Sequence, residues 1–457
     1  MALRPVLALW PKPVIRAYDT FRAPVFSVHV ATHSEPPAMV IRTLRALLNQ
    51  NWPADGFEVI VMDNNTRDED LWRPVEMFCQ QHSNRLTFIH QLGVEGAKAG
   101  ALNIALKDTR IDASHVVTVD ADYVVHADFL AIAASALART GADYVQFPQS
   151  YQGTSQTAAG VDAELEEYFR SNAMVADEAE AVLLTGTLCV ISREALQAAG
   201  GWSGVTTTED AELGVRLCNA GYSGRFINQI VGQGLLPFSL GDLEKQRYRW
   251  CSGNLQTLLR HLPIIFGRTG SLNLHKRLVV ISQLTAWFNL ALLPVLLLLA
   301  ALLVQQEAPT LAGLAAASIV LSLLDITLRV TGRGLREARG LKMTFDAVAC
   351  RLALAPRAAK ATFDALLGKD LQFVVTDKSG ANLSRARRGV IGGRVPFGHM
   401  VLFAVSFLAL IGAQQTDPVI IAALLALMLP LPAAILTDIS LRSYRAAIMP
   451  DHMEAAA

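Results

Sequence analysis

The sequence HVVTVDAD, residues 115–122, is a short apolar run that ends in two carboxylates. The run VIVMD, residues 59–63, ends in the same way. Between about residues 26 and 261, short apolar runs alternate with stretches of helical character, which is typical of a doubly wound α/β domain. Ligands of open α/β sheets bind outside the carboxyl ends of the strands. We therefore expect Asp63 and Asp120 to lie at one crevice.

Five strands and an early helix are predicted within this domain. The helix follows Pro36 and Pro37 and extends to Gln50, because proline is favoured in the first turn of a helix. The strands are predicted from apolar runs between turn residues, at Phe26–Ala31, Glu58–Met62, Leu86–His90, His115–Val119 and Tyr144–Phe147.

The composition indicates a soluble domain joined to membrane helices. Of the 457 residues, 52% are hydrophobic, which is high for a soluble enzyme. The 40 basic and 40 acidic side chains balance, so the net charge does not point to nucleic acid as a partner. The five cysteines are scattered without a CxxC pair, which favours reduced thiols in a cytosolic compartment over disulfides or a zinc site.

Four membrane spans are predicted after residue 277, because four apolar stretches approach the length that crosses ~30 Å of hydrocarbon. They lie at about residues 278–304, 311–330, 395–413 and 419–440. The segment from Arg329 to Arg394 contains fourteen Lys and Arg residues, whereas the two short connections contain none. The positive-inside rule therefore predicts an integral protein of a bacterial-type inner or plasma membrane whose α/β domain is cytoplasmic.

Two further segments are predicted to contact the membrane surface. Residues 345–367 have apolar side chains at helical spacing among Arg and Lys, which is typical of an amphipathic interfacial helix. Residues 1–24 are basic and their apolar run is broken by Pro5, Pro11 and Pro13, so they are expected to lie on the membrane rather than to form a signal peptide. The remaining boundaries are 25–270 for the α/β domain, 271–445 for the membrane domain and 446–457 for a C-terminal tail.

Asp120 and Asp122 are candidate ligands for Mg²⁺ or Mn²⁺. Neighbouring carboxylates repel each other unless a cation neutralises them, and hard cations prefer oxygen ligands. Such an ion typically bridges a diphosphate. Acidic turns after strands are also common in structural loops, so the tripeptide alone leaves both interpretations open.

Thr208-Glu209-Asp210 precedes a helical stretch that ends at Gly221. One interpretation is helix capping, with Thr208 at the N-cap and two acids in the first turn. The other makes Asp210 a general base that deprotonates an acceptor hydroxyl, with its pKa raised toward the working pH by a partly buried cleft. The two interpretations are compatible.

Gln246-Arg247-Tyr248-Arg249-Trp250 lies shortly before the first apolar stretch. Its tryptophan suits an interfacial anchor, but an indole face also suits a sugar ring. A guanidinium beside it suits a departing diphosphate. Because arginine and aromatic residues alternate, Arg247, Tyr248, Arg249 and Trp250 cannot all share one role.

In order and in position, these motifs resemble those of the processive family 2 glycosyltransferases, the cellulose synthase-like β-glycan synthases with a GT-A (Rossmann-like) catalytic domain. That family's pattern is D, DxD, TED and QxxRW. The matching positions are Asp63, Asp120 and Asp122, Thr208-Glu209-Asp210, and Gln246, Arg249 and Trp250. The runs Thr32-His33-Ser34-Glu35 and Ala97–Asn103 agree as well, and the resemblance covers about residues 25–440.

A fifth match lies far downstream, between the amphipathic helix and the last two spans. Residues 373–378, FVVTDK, fit the FxVTxK signature of the family's gating loop. The resemblance implies that the loop at 371–380 inserts over the bound nucleotide-sugar. Its signature residues are Phe373, Val375, Thr376 and Lys378.

The resemblance also implies a role for each matched residue. An inverting enzyme is expected, with a UDP-sugar donor, glucose in the first instance, and a β-linked product. The implied roles are uridine and ribose binding for Thr32, Glu35, Asp63 and Lys98, diphosphate binding for Asp120, Gln246 and Arg249, metal ligation for Asp122 with Asp120, catalysis for Asp210 with Glu209 beside it, and an acceptor floor for Trp250.

Two functions remain open on the sequence. QxxRW and FxVTxK favour a processive β-glycan synthase. Relatives usually carry further membrane helices before the catalytic domain, whereas about 24 residues precede the first strand here. An additional membrane subunit is therefore expected if a complete channel forms. The same observation favours a glycolipid synthase with a diacylglycerol- or ceramide-like acceptor. The sixteen residues after Leu441 are too few for the cyclic-di-GMP-binding domain of some relatives.

Overall fold

The computed structural model describes residues 23–267, 270–289, 291–303, 309–336, 340–368, 397–412 and 417–454. Residues 1–22 and the segment at 371–380 that matches the gating loop lie outside the described residues.

A seven-stranded mixed sheet organises the N-terminal part of the chain, in the order β3-β2-β1-β4-β7-β6-β8. Its first four strands are parallel, β7 is antiparallel to β4 and β6, and β8 is parallel to β6. The strands are β1 (Phe26–Thr32), β2 (Phe57–Asn64), β3 (Leu86–Gln91), β4 (His115–Thr118), β6 (Tyr144–Gln146), β7 (Cys189–Ser192) and β8 (Gly224–Phe226). A separate ribbon pairs β5 (Val124–Val125) with β9 (Gly232–Gln233).

All five predicted strands are confirmed, but β7 was not predicted. Four residues, Cys189–Ser192, are too few to show a period in the sequence. The strand is inserted antiparallel between β4 and β6, an arrangement that depends on long-range pairing.

Helices cover both faces of this sheet. They are α1 (Pro37–Leu48), α2 (Glu69–Gln81), α3 (Ala97–Asp108), α4 (Phe129–Thr140), α5 (Thr154–Thr157), α6 (Ala159–Tyr168), α7 (Met174–Glu178), α8 (Arg193–Ala198), α9 (Glu209–Ala220), α10 (Leu240–Arg260) and α11 (Leu262–Phe266). Alternate residues of one strand belong to different cores, as Val117 packs with α1 and α4 and Val116 packs with α9 and α10. Burial on both faces explains why the parallel strands are apolar runs.

The C-terminal part is helical. Its helices are α12 (Leu274–Leu284), α13 (Leu292–Leu303), α14 (Pro309–Arg336), α15 (Leu341–Leu366), α16 (Phe397–Gly412), α17 (Pro418–Met428) and α18 (Pro430–Glu454). By length and composition, Pro309–Gly332 and Pro418–Ile448 are long and apolar enough to cross a membrane. The apolar helices α13 and α16 are shorter.

The predicted span at 278–304 is not one helix, and this prediction is wrong. Helix α12 ends at Leu284, and α13 begins at Leu292. Gln283 of α12 is buried and donates from Nε2 to the Ala181 carbonyl at 2.9 Å, while its Oε1 accepts from the Leu183 amide at 2.8 Å. The first half of the predicted span is therefore bound to the α/β domain by a polar anchor that apolar composition does not reveal.

The predicted amphipathic helix forms as α15, and it packs against α6, α10 and α18 of the rest of the chain. Its alanine-rich face is buried, whereas Phe345 is 60% exposed and Leu367 69% exposed. The predicted C-terminal tail is wrong over 446–454, because α18 continues to Glu454. Tyr444 explains the extension, since its hydroxyl accepts from the Leu236 amide at 3.3 Å and fixes the helix to the α/β domain.

Candidate active site

The carboxyl ends of β1, β2 and β4 meet at one edge of the sheet, as expected for Asp63 and Asp120. Thr32 and Asp63 are paired in register at the ends of β1 and β2. The buried Asp63 carboxylate accepts from the hydroxyls of Thr32 and Thr66, both at 2.9 Å, and lies 2.9 Å from His90 Nδ1. These contacts hold the carboxylate in one orientation.

The loops that follow β1 and β2 hold two residues in the left-handed region. Ser34 has φ 58° and Asn65 has φ 60°. Non-glycine residues with such backbone angles cluster at functional sites, where surrounding contacts maintain them. Glu35 is part of this turn, and its carboxylate accepts from the His33 amide.

Lys98 connects α3 to the end of β4. Its ammonium donates to Asp120 Oδ1 and, at 2.8 Å, to the Gly186 carbonyl. Burial alone would lower the pKa of Lys98, but the carboxylates of Asp120 and Glu209 raise it above its ordinary value. A fixed positive charge therefore lies among several carboxylates.

Asp120 and Asp122 point to different surroundings. Asp120 lines a polar cavity, and its backbone amide donates to Thr187 Oγ1 at 3.0 Å. Asp122 is buried, and its Oδ2 accepts from the Leu235 amide at 3.1 Å. The side chains that line the described part of the cavity include Asp120 but not Asp122.

Thr208 occupies the N-cap position of α9, but its side chain makes no capping hydrogen bond. Its hydroxyl is buried without a hydrogen-bond partner among the described residues. Glu209 and Asp210 form the first turn. Burial, reinforced by the charge of Glu209, raises the pKa of Asp210 to about 7, against the opposing effects of Lys98 and Arg249. The capping interpretation thus does not account for the threonine.

Helix α10 separates the residues of the QRYRW run onto different faces. Gln246, Arg249 and Trp250 line the polar cavity. Arg247 instead donates to both oxygens of buried Glu164, at 2.6 and 3.1 Å. Residues two apart on a helix are about 200° apart around its axis, so the two arginines face apart. The expectation that these residues cannot share one role is confirmed.

Two adjoining cavities meet at Asp210. The polar cavity contains Lys98, Asp120, Glu209 and Arg249. The second cavity, which we call the apolar cavity, is lined in part by Leu165, Phe169 and Trp287. Both cavities are lined by Gln149, Thr185, Thr208, Asp210 and Trp250. A titratable carboxylate thus lies between a charged compartment and one that is bounded by indole rings.

Sequence reasoning missed Trp287, which lines the apolar cavity. Its ring stacks on Tyr168 at 5.0 Å between centroids and lies 5.5 Å from the ring of Trp250. The guanidinium of Arg247 is 3.8 Å from its centroid. Trp287 lies in an apolar stretch that resembles the start of a membrane span, so its place in the wall of a cavity could not be predicted from the sequence. Gln149 and Thr185 were also missed, because loop residues carry no period.

The residues of the polar cavity fit a divalent cation that shares its ligands with a phosphate. Among the described residues, no three His, Cys, Asp or Glu side chains cluster as a self-sufficient metal site. Mg²⁺ is commonly held by one or two carboxylates, with water and substrate phosphates as the other ligands. Asp120 supplies such an oxygen at this cavity.

Comparisons with known proteins agree with this geometry. Residues 27–200 match the model described as Glycosyl transferase family 2, and residues 115–324 match that described as Glycosyl transferase family group 2. The chain is 29% identical over 290 residues to the cellulose synthase catalytic subunit (UDP-forming) of Xanthomonas axonopodis pv. citri, covering 61% of this chain and 38% of that one. It is 27% identical over 275 residues to that of Komagataeibacter sucrofermentans, covering 58% and 35%. The matched region thus spans well under half the length of these relatives.

A solved structure resembles the fold. The mannosyltransferase PcManGT from Pyrobaculum calidifontis, in complex with GDP-Man and Mn²⁺, aligns with a TM-score of 0.55 at 19% identity and covers 80% of this chain and 93% of that one. The likeness concerns the fold alone, and it confirms the expected GT-A class.

Proposed function

We propose that this chain is a family 2 glycosyltransferase, as its matches to the two family models support. It transfers a sugar, glucose in the first instance, from a UDP-sugar to an acceptor hydroxyl with inversion at the anomeric carbon. The observation that carries this proposal is the position of Asp210 between the polar and the apolar cavity. A base at that junction can reach a hydroxyl on one side and a donor sugar on the other.

The donor occupies the polar cavity and the edge of the sheet beside it. Thr32, Glu35 and Asp63 bind the uridine and its ribose, where the carboxylate of Asp63 is already oriented by its partners. Gln246 and Arg249 face the diphosphate. Lys98, predicted from the sequence to bind the uridine and ribose, is assigned to the diphosphate as well, because its ammonium lies beside Asp120 at the polar cavity. The charges of Arg249 and Lys98 and the amide of Gln246 stabilise the leaving group.

Asp120, which lines the polar cavity, would hold Mg²⁺ or Mn²⁺, which when bound supplies positive charge to the leaving diphosphate. Ligation by Asp122 stays a prediction from the sequence, because its carboxylate lies outside that cavity and accepts from the Leu235 amide. The match to a neighbour in complex with Mn²⁺ supports this assignment through the shared fold.

Asp210 removes the proton of the acceptor hydroxyl as its oxygen forms a bond to the anomeric carbon. The bond from that carbon to the diphosphate oxygen breaks, and UDP leaves with the bonding electrons. A pKa of about 7 suits this role, because a useful fraction of the carboxylate is both ionised and basic at neutral pH. Trp250 stacks on the acceptor.

The protein is proposed to lie in a membrane with its α/β domain in the cytoplasm. Pro309–Gly332 is only 22% buried over its most apolar window, and Leu314, Leu321 and Leu328 are each at least 60% exposed. Exposed apolar surface of this extent indicates contact with lipid. The basic segment after α14 supports a cytoplasmic location for that end.

The acceptor in the first hypothesis is a growing β-glycan, as the likeness to cellulose synthase subunits suggests. The segment at 371–380 would then close over the donor, and an additional membrane subunit would complete a channel. The alternative is a diacylglycerol- or ceramide-like lipid. It is favoured by a cavity beside Trp287 that is bordered by α13 and α14.

Product partition distinguishes these acceptors. The purified protein in phospholipid vesicles is incubated with radiolabelled UDP-glucose and Mg²⁺ or Mn²⁺. Ethanol-insoluble label that β-glucanase releases supports the polymer, and label confined to the organic phase supports the glycolipid. The proposed function itself would be contradicted if the protein showed no metal-dependent, EDTA-sensitive turnover of the donor.

A further inference from the structure

A third and larger cavity lies beside the active site, next to the apolar helices α13 and α14. Its volume is about 380 Å³, and we call it the chamber. It is bordered by the loop that carries Trp287, the start of α13, the C-terminal half of α14 and the middle of α15. Cavities of 300–1,000 Å³ are of the size that binds small ligands.

One face of α14 lines the chamber with polar side chains. Ser318, Ser322, Asp325 and Arg329 recur at intervals of three or four residues and therefore share one side of the helix. The opposite side carries Leu324, which is 48% exposed. Polar and ionisable residues within an apolar helix are costly in a bilayer and usually mark a functional site.

The formal charges at the chamber wall balance, because its three arginines, Arg247, Arg329 and Arg351, are matched by Asp325 and Glu167 of the lining and by Glu164, to which Arg247 and Arg351 both donate. Arg329 pairs with Asp325 at 2.6 Å, and Arg351 pairs with Glu164 at 2.7 Å. The Ser318 and Ser322 hydroxyls donate to backbone carbonyls of their own helix, at 2.9 and 2.8 Å, which leaves their oxygens able to accept. Such a wall suits an uncharged ligand rich in hydroxyl groups better than a phosphate.

Trp287 belongs to the chamber and to the apolar cavity at Asp210. Tyr168 stacks on its ring and Arg247 lies over it, so the indole is held in place. The ring therefore forms a fixed boundary along which the two cavities meet. Apolar side chains of Leu293, Ile326 and Val330 line the rest of the chamber.

We propose that the chamber binds an amphiphilic acceptor from the membrane, with a hydroxylated, uncharged headgroup against Ser318, Ser322 and Trp287. The tail lies along Leu293, Ile326 and Val330. The headgroup extends past the edge of Trp287 toward Trp250 and Asp210. This inference rests on the proposed transfer reaction and favours the lipid over the β-glycan as its acceptor.

The test uses dodecyl β-glucoside as the amphiphile and cellotetraose as a tailless control. The protein is reconstituted in phosphatidylcholine nanodiscs. Transfer from radiolabelled UDP-glucose is measured for the wild type, for Ser322→Trp, which fills the chamber, and for Leu324→Trp, which adds the same ring on the opposite face of α14. We expect the wild type and Leu324→Trp to glycosylate dodecyl β-glucoside, and Ser322→Trp to do so at least about tenfold more slowly.

Two further measurements separate the chamber from the active site. UDP-glucose hydrolysis without acceptor should remain within about twofold of wild type in Leu324→Trp. The same hydrolysis is measured for Ser322→Trp, so that its loss of transfer is expressed relative to its donor turnover. A dodecyl glucoside with a diazirine in its chain should label chamber peptides of α13 and α14. Unlabelled dodecyl glucoside should compete with it, cellotetraose should not, and Ser322→Trp should lose the label.

The inference is overturned if Ser322→Trp and Leu324→Trp are labelled alike. It is also overturned if cellotetraose is glycosylated at the same rate as dodecyl β-glucoside and Ser322→Trp leaves both rates unchanged. If unlabelled dodecyl glucoside competes with chamber labelling but no nucleotide-sugar is turned over, binding of an amphiphile in the chamber is supported and the proposed function is contradicted.

Discussion

At the scale of single residues, Asp210 combines two properties that usually oppose each other. Its ionised form is disfavoured by burial and by Glu209, yet Lys98 and Arg249 keep it from being neutral throughout the physiological range. A carboxylate poised in this way is a stronger base than an exposed one.

Asp210→Asn should lower the turnover of UDP-sugar by about 10²–10⁴, because the acceptor proton loses its base. UDP affinity, measured by calorimetry, should change little. Asp242→Asn is the control, since Asp242 lies in the first turn of α10, where it pairs with Lys245 and does not line the cavities at Asp210. Retention of activity by Asp210→Asn would show that Asp210 is not the base.

The rate should depend on pH through the same carboxylate. Because Asp210 must be ionised to accept a proton and its pKa is about 7, kcat/KM should fall about tenfold per unit as the pH drops below 7 and level off above it. A pH profile of initial rates in mixed buffers tests this. A profile that stays level from pH 7 down to 5 would contradict it.

The raised pKa also predicts a cost in stability. A carboxyl whose pKa is higher in the folded than in the unfolded state stabilises the fold at low pH, and this contribution is lost as the pH rises from about 4 to about 7. Asp210→Asn should therefore melt at a higher temperature than wild type at pH 8, by a few degrees. The difference should shrink toward pH 5. Thermal unfolding in detergent at both pH values gives the comparison.

At the scale of elements, Glu164 joins three helices. It lies on α6 and accepts from Arg247 of α10 and Arg351 of α15, all with little solvent exposure. The two guanidiniums lower the pKa of Glu164 although burial alone would raise it. Helix α15 is thereby fixed to the helix that carries Arg249 and Trp250.

Glu164→Gln should destabilise the protein by about 3–5 kcal/mol, because the buried guanidinium of Arg247 and the partly buried one of Arg351 lose their shared anion. Glu166→Gln is the matched control, since Glu166 pairs with Arg170 at the surface and such pairs contribute about 0–1 kcal/mol. Thermal unfolding of both variants in the same detergent measures the difference. Equal melting temperatures would show that the ion pairs of Glu164 with Arg247 and Arg351 do not stabilise the fold.

At the scale of the whole molecule, the proposed topology places the two ends of α14 on opposite sides of the membrane. Thr310→Cys near its start should react with an impermeant maleimide in intact cells. Arg442→Cys, on the part of α18 that packs beside the α/β domain, should react only after permeabilisation. The five native cysteines are buried, so background labelling should be low. Labelling of Arg442→Cys in intact cells would refute this topology.

Local signals in the sequence were enough to predict the parallel half of the sheet and the polar motif residues at its edge. Strands buried on both faces must be apolar runs, and the chemistry after them needs carboxylates, so both leave local signals. The segments α14 and α17–α18 were likewise visible, because a continuous apolar stretch needs no partner to be recognised.

The contacts that distinguish neighbouring residues of one motif were visible only once the chain was folded. Arg247 and Arg249 are alike in sequence, but the turn of α10 directs one to Glu164 and the other to the cavity. Trp287 and Gln283 lie in an apolar stretch that predicts a membrane span, yet both are bound to the α/β domain. Periodicity records the average environment of a segment, whereas these positions depend on contacts between residues that are distant in the chain, 83 apart for Arg247 and Glu164 and 100 apart for Gln283 and Leu183.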